Sequence, residues 1–388
     1  MMLLYKITAF SIAIILLIVV SVSAEVYKKS EIKAADILEG ERLNITSPDN
    51  ISGSVVINSV SGNNLKIEIE YTVKAESEKY FKWYLDLVDV GFSVEDEETE
   101  IKVKTPENAP WEGLDRSISL NMVISVPSNL SLNIEGRFYS IDIKGPFKNL
   151  EIDNDYGEVS ASDISGQIFI KTSFKNVTLS NIEGNIDILN NSGEIKVSDV
   201  DCGKFMCRLE TSKGMIRAEN FKGELEAITS HAPIVLRNVD AGKGLIYMTN
   251  TYGKVKMEDI TGMIEITSDY TTIMGDKISF SRGLSIITDS YNPISLKNIS
   301  LDNSEVTINN DFSDVVVSFI EGESVRLILS TDEGGSIYTK GMPIEPVTIS
   351  GNSFEGMVRK GESSFEVNIQ GIGTIEIEGQ DRISKKSY

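Results

Sequence analysis

Side chains that commonly carry catalysis or hold metals are scarce in this chain. Its 388 residues include one histidine, His231, and two cysteines, Cys202 and Cys207. A catalytic zinc site uses about three protein ligands and a structural site about four, so neither a His-rich nor a four-cysteine site is available. The sequence also contains no Ser/His/Asp arrangement and no phosphate-binding glycine loop. These residue types predict a protein without metal, cofactor or enzymatic activity.

Carboxylates are the one chemical group present in excess. The chain has 58 Asp and Glu against 37 Lys and Arg, which gives a net charge of −21. Nucleic-acid binding depends on clustered cations that displace counterions, so this balance argues against a nucleic-acid partner. Enzymes that process polysaccharides cluster an acid and a base on one face. Because the acids here are spread along the chain, a polysaccharide-processing enzyme is the least favoured alternative.

The first 24 residues predict export. Residues 7–24 form an uncharged apolar run after Lys6, and residues 22–24 offer a small-residue cleavage site. The run is nearly as long as the ~20 residues that cross a bilayer. Residues 1–24 are therefore either a signal peptide or a retained transmembrane helix, and this segment is the only predicted membrane contact. Both alternatives place the rest of the chain at the cell surface or outside the cell.

The two cysteines lie five positions apart across a predicted turn. An exported protein could oxidise Cys202 and Cys207 to a local disulfide. The alternative is that they are two small core residues on adjacent segments. The sequence leaves both open.

A repeat of about 20 residues occupies the chain from about residue 147 to 325, and a period in this range indicates a solenoid. One half of each unit reads apolar-x-apolar-x-x-apolar-x-Gly, as in residues 159–166 and 177–184. The other half is a short alternating segment such as Ile168-x-Ile170. Alternating, mostly β-branched residues predict short strands with one apolar face, which repeated copies bury by stacking. The repeat predicts an all-β fold, a parallel β-helix (β-solenoid) of about nine to ten coils.

Two columns of polar residues recur at fixed positions of the repeat. The first polar column, five positions before the first apolar residue of the unit, consists of Asn154, Thr172, Asn190, Thr211, Thr229, Asn250, Ser268, Asp289 and Asn310. The Asx column lies four positions after that same apolar residue. It consists of Asp163, Asn181, Asp199, Asn220, Asn238, Asp259 and Asn298. Such side chains bond turn backbone groups and tolerate left-handed conformations. A calcium-binding row is the alternative, but neutral residues at alternate levels favour turn building.

A third column, the aromatic column, lies three positions before the first apolar residue. It consists of Tyr156, Phe174, Ser192, Lys213, His231, Tyr252, Tyr270, Tyr291 and Phe312. Six of these nine residues are aromatic, although aromatic residues make up 7% of the chain. Its seven ring-bearing members are the candidate ligand-binding residues, because exposed rings on successive turns could bind sugar rings or a protein partner. The alternative is a ladder that only rigidifies one edge.

The predicted domains follow from these patterns. After residues 1–24 comes an N-terminal β region, 25–145, which contains an amphipathic helix at 77–90. The predicted buried face of that helix carries Tyr80, Trp83, Tyr84, Leu87 and Val88. We expect the helix to cap the open start of the coils, since an uncovered strand edge invites aggregation. The β-helix repeats occupy 146–342, and 343–388 adds C-terminal strands, a cap and a tail.

A resemblance to a known family lies at the entry to the coils. Residues 123–166, VISVPSNLSLNIEGRFYSIDIKGPFKNLEIDNDYGEVSASDISG, combine a Val-Pro step with repeated Gly-x-apolar-x-apolar units. This pattern resembles the adhesin β-strand-repeat family of exported bacterial and archaeal proteins, which includes adhesin-like head domains of mostly unassigned function. The resemblance covers about residues 40–380. It implies a right-handed β-helix, an envelope location and a role in adhesion or envelope-stress sensing, and it supplies no catalytic residues.

Three functions are distinguished on this basis. The favoured one is a non-enzymatic, adhesin-like surface β-solenoid that recognises a glycan or protein partner. The first alternative is an envelope-stress sensor or structural protein that binds a partner through a strand edge or through the helix at 77–90. The second is the polysaccharide-processing enzyme.

Overall fold

The computed structural model describes residues 24–36, 42–95, 98–113 and 115–380. Within these ranges the chain forms 27 strands, joined in one hydrogen-bonded sheet, and one short α-helix. The predicted all-β class is confirmed. The predicted export segment, residues 1–24, lies outside the described residues except for Ala24. No helix in the described ranges is long and apolar enough to cross a bilayer.

The N-terminal part combines antiparallel and parallel pairing. Its elements are β1 (Glu25–Asp36), β2 (Arg42–Thr46), β3 (Ser52–Val60), β4 (Asn64–Ala75), α1 (Glu78–Asp86), β5 (Asp89–Glu95), β6 (Glu98–Lys104), β7 (Ser117–Pro127), β8 (Ser131–Gly136) and β9 (Tyr139–Phe147). Strand β4 is antiparallel to both β1 and β7, and β5 is antiparallel to β6. Strands β2 and β3 are parallel to β8 and β9 on one side and to β6 and β7 on the other. The chain thus leaves this parallel arrangement after β3, and β6 and β7 rejoin it on the side away from β8 and β9.

The middle part is a regular parallel stack. Its strands are β10 (Leu150–Asn154), β11 (Val159–Thr172), β12 (Val177–Asn190), β13 (Ile195–Thr211), β14 (Ile216–Thr229), β15 (Ile234–Asn250), β16 (Gly253–Ser268) and β17 (Thr271–Phe280). Paired residues are 18 positions apart between β11 and β12, or 21 apart at the start of β13 and β14. The predicted period near 20 is therefore a mixture of two coil lengths. Register shifts at residues 201–206 and 240–245 accommodate the longer coils.

Alternating apolar residues form the core of this stack. In β12, Val177, Leu179 and Ile186 are fully buried, and each pairs with an apolar residue of the preceding coil. The glycine that ends the repeat unit is required where neighbouring coils approach closely. Gly184 has a φ of 139°, and a Cβ atom there would lie 2.0 Å from the carbonyl oxygen of Gly166. Only glycine meets both conditions.

The C-terminal strands are interleaved with the stack. They are β18 (Leu284–Asp289), β19 (Ile294–Leu301), β20 (Glu305–Asp311), β21 (Val315–Phe319), β22 (Val325–Thr331), β23 (Ser336–Lys340), β24 (Ile344–Ser350), β25 (Ser353–Val358), β26 (Ser363–Gln370) and β27 (Thr374–Gly379). Strand β26 lies in parallel between β20 and β22, and β27 lies between β21 and β23. Strand β25 is antiparallel to β22 and β24. Strand pairing therefore continues across the predicted boundary at residue 342.

The helix is shorter than predicted and buries only part of the predicted face. It begins at Glu78 and ends at Asp86, because the chain from Asp89 onward joins β5. The core is contacted by Phe81, Tyr84 and Leu85 of the helix and by Leu87 and Val88 just after its end. The Tyr84 ring lies 5.8 Å from that of Trp111. Tyr80 and Trp83 were predicted to be buried, but they are 42% and 46% exposed. The prediction was wrong for these two because several aromatic residues fit a helical period, and the positions of strand residues decide which ones are covered.

Candidate functional site

The first polar column is buried, and this buried polar column holds the turns that carry the aromatic residues. All nine of its side chains are buried, each two positions before a member of the aromatic column. At Asn190 the Oδ1 atom accepts hydrogen bonds from the backbone N–H groups of Ser192 and Gly193, and Nδ2 donates to the Lys175 carbonyl at 2.8 Å. Thr211 repeats part of this pattern by donating to the Gly193 carbonyl. Where the polar group is satisfied in this way, it fixes the turn backbone and hence the direction of the side chain that the turn carries. The Thr172 hydroxyl group, in the turn of Phe174, has no hydrogen-bond partner among the described residues.

Asp289 is the charged member of the buried polar column. Its Oδ2 atom accepts from the backbone N–H groups of Tyr291 and Asn292, and its Oδ1 atom accepts from Ser268 and from the backbone of Thr271. Burial raises the pKa of this carboxyl, while the hydrogen bonds from Asn292, Ser268 and Thr271 oppose that shift. Asp289 therefore anchors the turn of Tyr291 at the cost of a desolvated charge.

The aromatic column is brought together as two stacks of nearly parallel rings. In the longer stack, ring centres are 5.5, 5.3, 4.6 and 5.7 Å apart along the series His231, Tyr252, Tyr270, Tyr291 and Phe312. The shorter stack joins Tyr156 to Phe174 at 4.7 Å and extends to Phe138 at 4.9 Å. Ser192 and Lys213, which have no rings, separate the two stacks.

Phe138 was missed by the sequence reasoning. It lies three positions before Ile141, the first apolar residue of an Ile-x-Ile unit whose strand pairs with β11. The same spacing that identified Tyr156 would have found it if the repeat had been started one coil earlier. Arg137 lies beside this end, with its guanidinium 5.4 Å and 5.6 Å from the centres of the Phe138 and Tyr156 rings.

The stacked rings present their edges, rather than their faces, to solvent. Tyr252, Tyr270 and Tyr291 are 45–50% exposed even though both faces of each ring are covered by neighbours. Desolvation raises the pKa of the Tyr270 phenol, and the phenols of Tyr291 and Tyr252 add to the shift. The Tyr270 hydroxyl group therefore remains a protonated donor at neutral pH. The arrangement can contact a partner through ring edges and hydroxyl groups.

The Asx column forms a ladder at another corner of the coils. All seven of its residues adopt a left-handed conformation, with φ between 52° (Asn220) and 60°. Asn220 donates to Asp199 at 2.9 Å and accepts from Asn238 at 2.8 Å. These bonds agree with the turn-building role predicted for the column. In the described ranges no group of three or more His, Cys, Asp or Glu is arranged to hold a metal ion.

A disulfide-closed loop borders this corner. Cys202 and Cys207 are bonded to each other, with their Cα atoms 6.3 Å apart, and both are buried. The loop between them raises Phe205 to 54% exposure beside an open groove of about 860 Å³. Lys222 donates to Asp201 at 2.8 Å in this groove and, together with the Gly203 N–H, lowers the pKa of that carboxyl. Sequence reasoning identified the cysteines but not the exposed ring.

Comparisons with known proteins give distant structural neighbours only. No family model matches the chain, and no curated protein matches it. Three solved structures are similar over most of their lengths. A provisionally named cell adhesion protein of Clostridium sporogenes is 11% identical with a TM-score of 0.20, and covers 91% of this chain and 100% of its own. A provisionally named adhesin of Bacteroides fragilis is 9% identical with a TM-score of 0.23, at 90% and 97% coverage. A provisionally named lipid binding protein of Parabacteroides distasonis is 11% identical with a TM-score of 0.20, at 90% and 96%. At such TM-scores the likeness carries no inference about function.

Proposed function

We propose that this protein is a non-enzymatic, adhesin-like component of the cell envelope that recognises a glycan or protein partner through its aromatic column. The observation that carries the proposal is the exposed row of stacked rings. Five consecutive turns place a ring on the surface, and the four from Tyr252 to Phe312 are 45–58% exposed. A contiguous exposed apolar row of this kind marks an interaction site in soluble proteins.

The row is also rigid before any partner binds. Stacking fixes the rings against one another, and the buried polar column fixes the backbone beneath them. A partner therefore loses little binding free energy to ordering these side chains. Tyrosine suits such a surface because it joins a rigid apolar ring to a hydroxyl group.

The proposed architecture is a right-handed parallel β-helix of about nine to ten coils at residues 146–342. The parallel pairing of β11 to β17 at intervals of 18 or 21 residues supports this winding. We propose residues 25–145 as the N-terminal region that covers one end and 343–388 as the C-terminal cap and tail. Residues 1–24 act as a signal peptide or as the membrane anchor, which places the coils at the cell surface or outside the cell.

The test is binding to a glycan array and to intact cell surfaces. Replacing Tyr252, Tyr270 and Tyr291 together by Ala should reduce binding at least tenfold while the circular dichroism spectrum keeps its β signature. The triple Tyr→Phe variant retains the stack and removes the hydroxyl groups, so its binding measures what the hydroxyl groups contribute. Tyr338→Ala, which removes a 60% exposed ring outside the column, is the matched control. Equal binding by the wild-type protein and the triple Ala variant would remove the aromatic column from the proposal.

A partner-binding envelope protein, including an envelope-stress sensor, is the second candidate. It is favoured by Tyr80 and Trp83, whose rings lie 6.0 Å apart on the exposed side of α1. Replacing both residues by Ala should then abolish co-purification with an envelope protein and leave glycan binding unchanged. A co-purification pattern that is insensitive to this double variant would count against the helix as the contact. Glycan ligands found on the array should also be incubated and analysed for cleavage, because turnover would favour the polysaccharide-processing alternative.

A further inference from the structure

The interruption of the aromatic column leaves two rings that are stacked on one side only. Phe174 has a stacked neighbour only on the side of Tyr156, and His231 has one only on the side of Tyr252. Within the described part of the chain, no other ring and no cation lies over either of them. The outer end of the longer stack differs, because the Phe312 ring lies directly against Gly371, where even a Cβ atom would come within 2.4 Å of the ring.

The two unstacked sides lie toward the same gap in the column. Along the stack, Phe174 and His231 are separated by the two ringless positions Ser192 and Lys213. Three steps of about 4.8 Å between neighbouring strands place the two rings about 14 Å apart. The side chains between the two rings are the half-buried Ser192 and the exposed Lys213. We refer to the space between Phe174 and His231 as the slot.

The slot is locally cationic in a strongly acidic protein. Lys175 and Lys213 are exposed, and neither forms an ion pair within the residues that the structure describes. Four turns border the slot, and each begins with three residues that include no carboxylate: 173–175, 191–193, 212–214 and 230–232. The chain as a whole carries a net charge of −21. The next turn residue, Glu194, is paired with Arg217 at 3.7 Å. The charge of the two lysines is therefore available to a ligand.

We propose that the slot binds an acidic sugar residue of an extracellular polysaccharide, of the uronic acid class. The C–H face of a pyranose ring packs on the free face of Phe174 or His231, as sugar rings do on aromatic side chains. Its carboxylate accepts charge-assisted hydrogen bonds from Lys213 and Lys175, and its hydroxyl groups meet the polar side chains of Ser192 and its neighbours. This inference rests on the proposed recognition function and assigns it a ligand class and a location.

Calorimetric titration with a defined oligogalacturonate tests the proposal on the full exported chain. We expect saturable binding that weakens with added salt, and at least about tenfold weaker binding of the carboxyl-methylated ester, which has the same rings without the charge. Lys213→Gln should also weaken binding about tenfold or more, and Phe174→Ala should weaken binding of the oligogalacturonate and of its ester alike. Lys256→Gln, which removes an exposed and unpaired lysine of β16, is the control for net charge.

Each result bears on the slot separately from the proposed function. No binding of oligogalacturonate, equal binding of its ester, or full binding by both Lys213→Gln and Phe174→Ala would overturn the slot. If those variants bind normally while the triple Tyr→Ala variant loses a glycan or cell-surface ligand, recognition lies on the longer stack and only the slot is refuted. If Lys213→Gln fails to fold, Lys213→Arg provides the second measurement, because it keeps the charge and should keep most of the affinity.

Discussion

The aromatic stack should contribute to stability in proportion to the number of ring faces that are covered. Tyr291 and Phe174 provide a matched pair for this prediction, since they occupy the same turn position and are 48% and 49% exposed. Tyr291 has two stacked neighbours, at 4.6 and 5.7 Å, whereas Phe174 has one, at 4.7 Å. Replacing each by Ala removes similar buried area and a different number of ring contacts.

The expected magnitudes follow from that count. An aromatic pair contributes about 0.5–1.5 kcal/mol beyond the burial of its area. Tyr291→Ala should therefore lower the free energy of unfolding by about 1–3 kcal/mol from lost stacking, and Phe174→Ala by about 0.5–1.5 kcal/mol. The difference between the two variants isolates one ring pair, because the burial contributions largely cancel. Tyr338→Ala removes an exposed ring with no stacked neighbour in the described ranges, and surface changes of this kind usually stay within about 0.5 kcal/mol.

Denaturant unfolding of the three variants and the wild-type protein, followed by circular dichroism, measures the differences. Hydrogen exchange of the backbone amides near residues 270–292 and 156–174 locates each loss, because stability in a repeat stack is carried by neighbouring units. The reasoning is refuted if Phe174→Ala costs as much as Tyr291→Ala, or if both fall within the range of the Tyr338→Ala control. Either result would mean that parallel rings at these distances add nothing beyond their buried area.

Three further predictions concern the groups that hold the coils in register. The folded protein should retain the Asp289 proton above about pH 3.9, where the unfolded chain releases it, because the pKa of this carboxyl is raised. Its free energy of unfolding should consequently fall as the pH rises from that value through the raised pKa, and Asp289→Asn should flatten this slope in a denaturation series. Reduction of the disulfide, or replacement of Cys202 and Cys207 by Ser, should lower the free energy of unfolding by about 2 kcal/mol, because the closed loop is short. A reductant should have no further effect on the stability of the double Ser variant. Asn220→Ala should lower the free energy of unfolding by about 2–4 kcal/mol, because it removes two hydrogen bonds and strains a left-handed residue. Asn220→Gly should lower it less, because glycine tolerates that conformation. Equal losses of stability in thermal unfolding would contradict the conformational part of this reasoning.

The columns of side chains could be predicted because they depend only on spacing. Once the repeat is aligned on its first apolar residue, Asn190, Ser192 and Asp199 each have a counterpart at the same position of the neighbouring repeat units. Stacking follows from parallel pairing at a constant register. The direction of each column could also be inferred, since side chains of a strand alternate between its two faces. The two coil lengths were not distinguished, because a shift of three residues leaves the local apolar pattern unchanged.

The arrangement at the two ends could not be predicted in this way. Strand β26 pairs with β20, so that Ser364 lies opposite Glu305, and the intervening strands are passed over. No local pattern encodes a partner so distant in sequence, and alternating apolar residues fit any position in the stack equally well. The interruption of the aromatic column was visible in the sequence as Ser192 and Lys213. The ring geometry was needed to interpret this interruption, because only the distances between rings show which rings lack a stacked neighbour on one side.

That geometry separates two roles that the sequence left as alternatives. A ladder that served stability alone would gain from a ring on every coil, and the interruption at Ser192 and Lys213 forgoes three ring pairs, or about 1.5–4.5 kcal/mol. A platform that served sugar binding alone would keep its ring faces free, and the longer stack covers them. The longer stack therefore suits contact through ring edges and hydroxyl groups, while the rings stacked on one side only at the interruption occur together with lysines that form no ion pair in the described ranges. Under the slot proposal, recognition by ring faces lies at the interruption, where ring stacking is forgone.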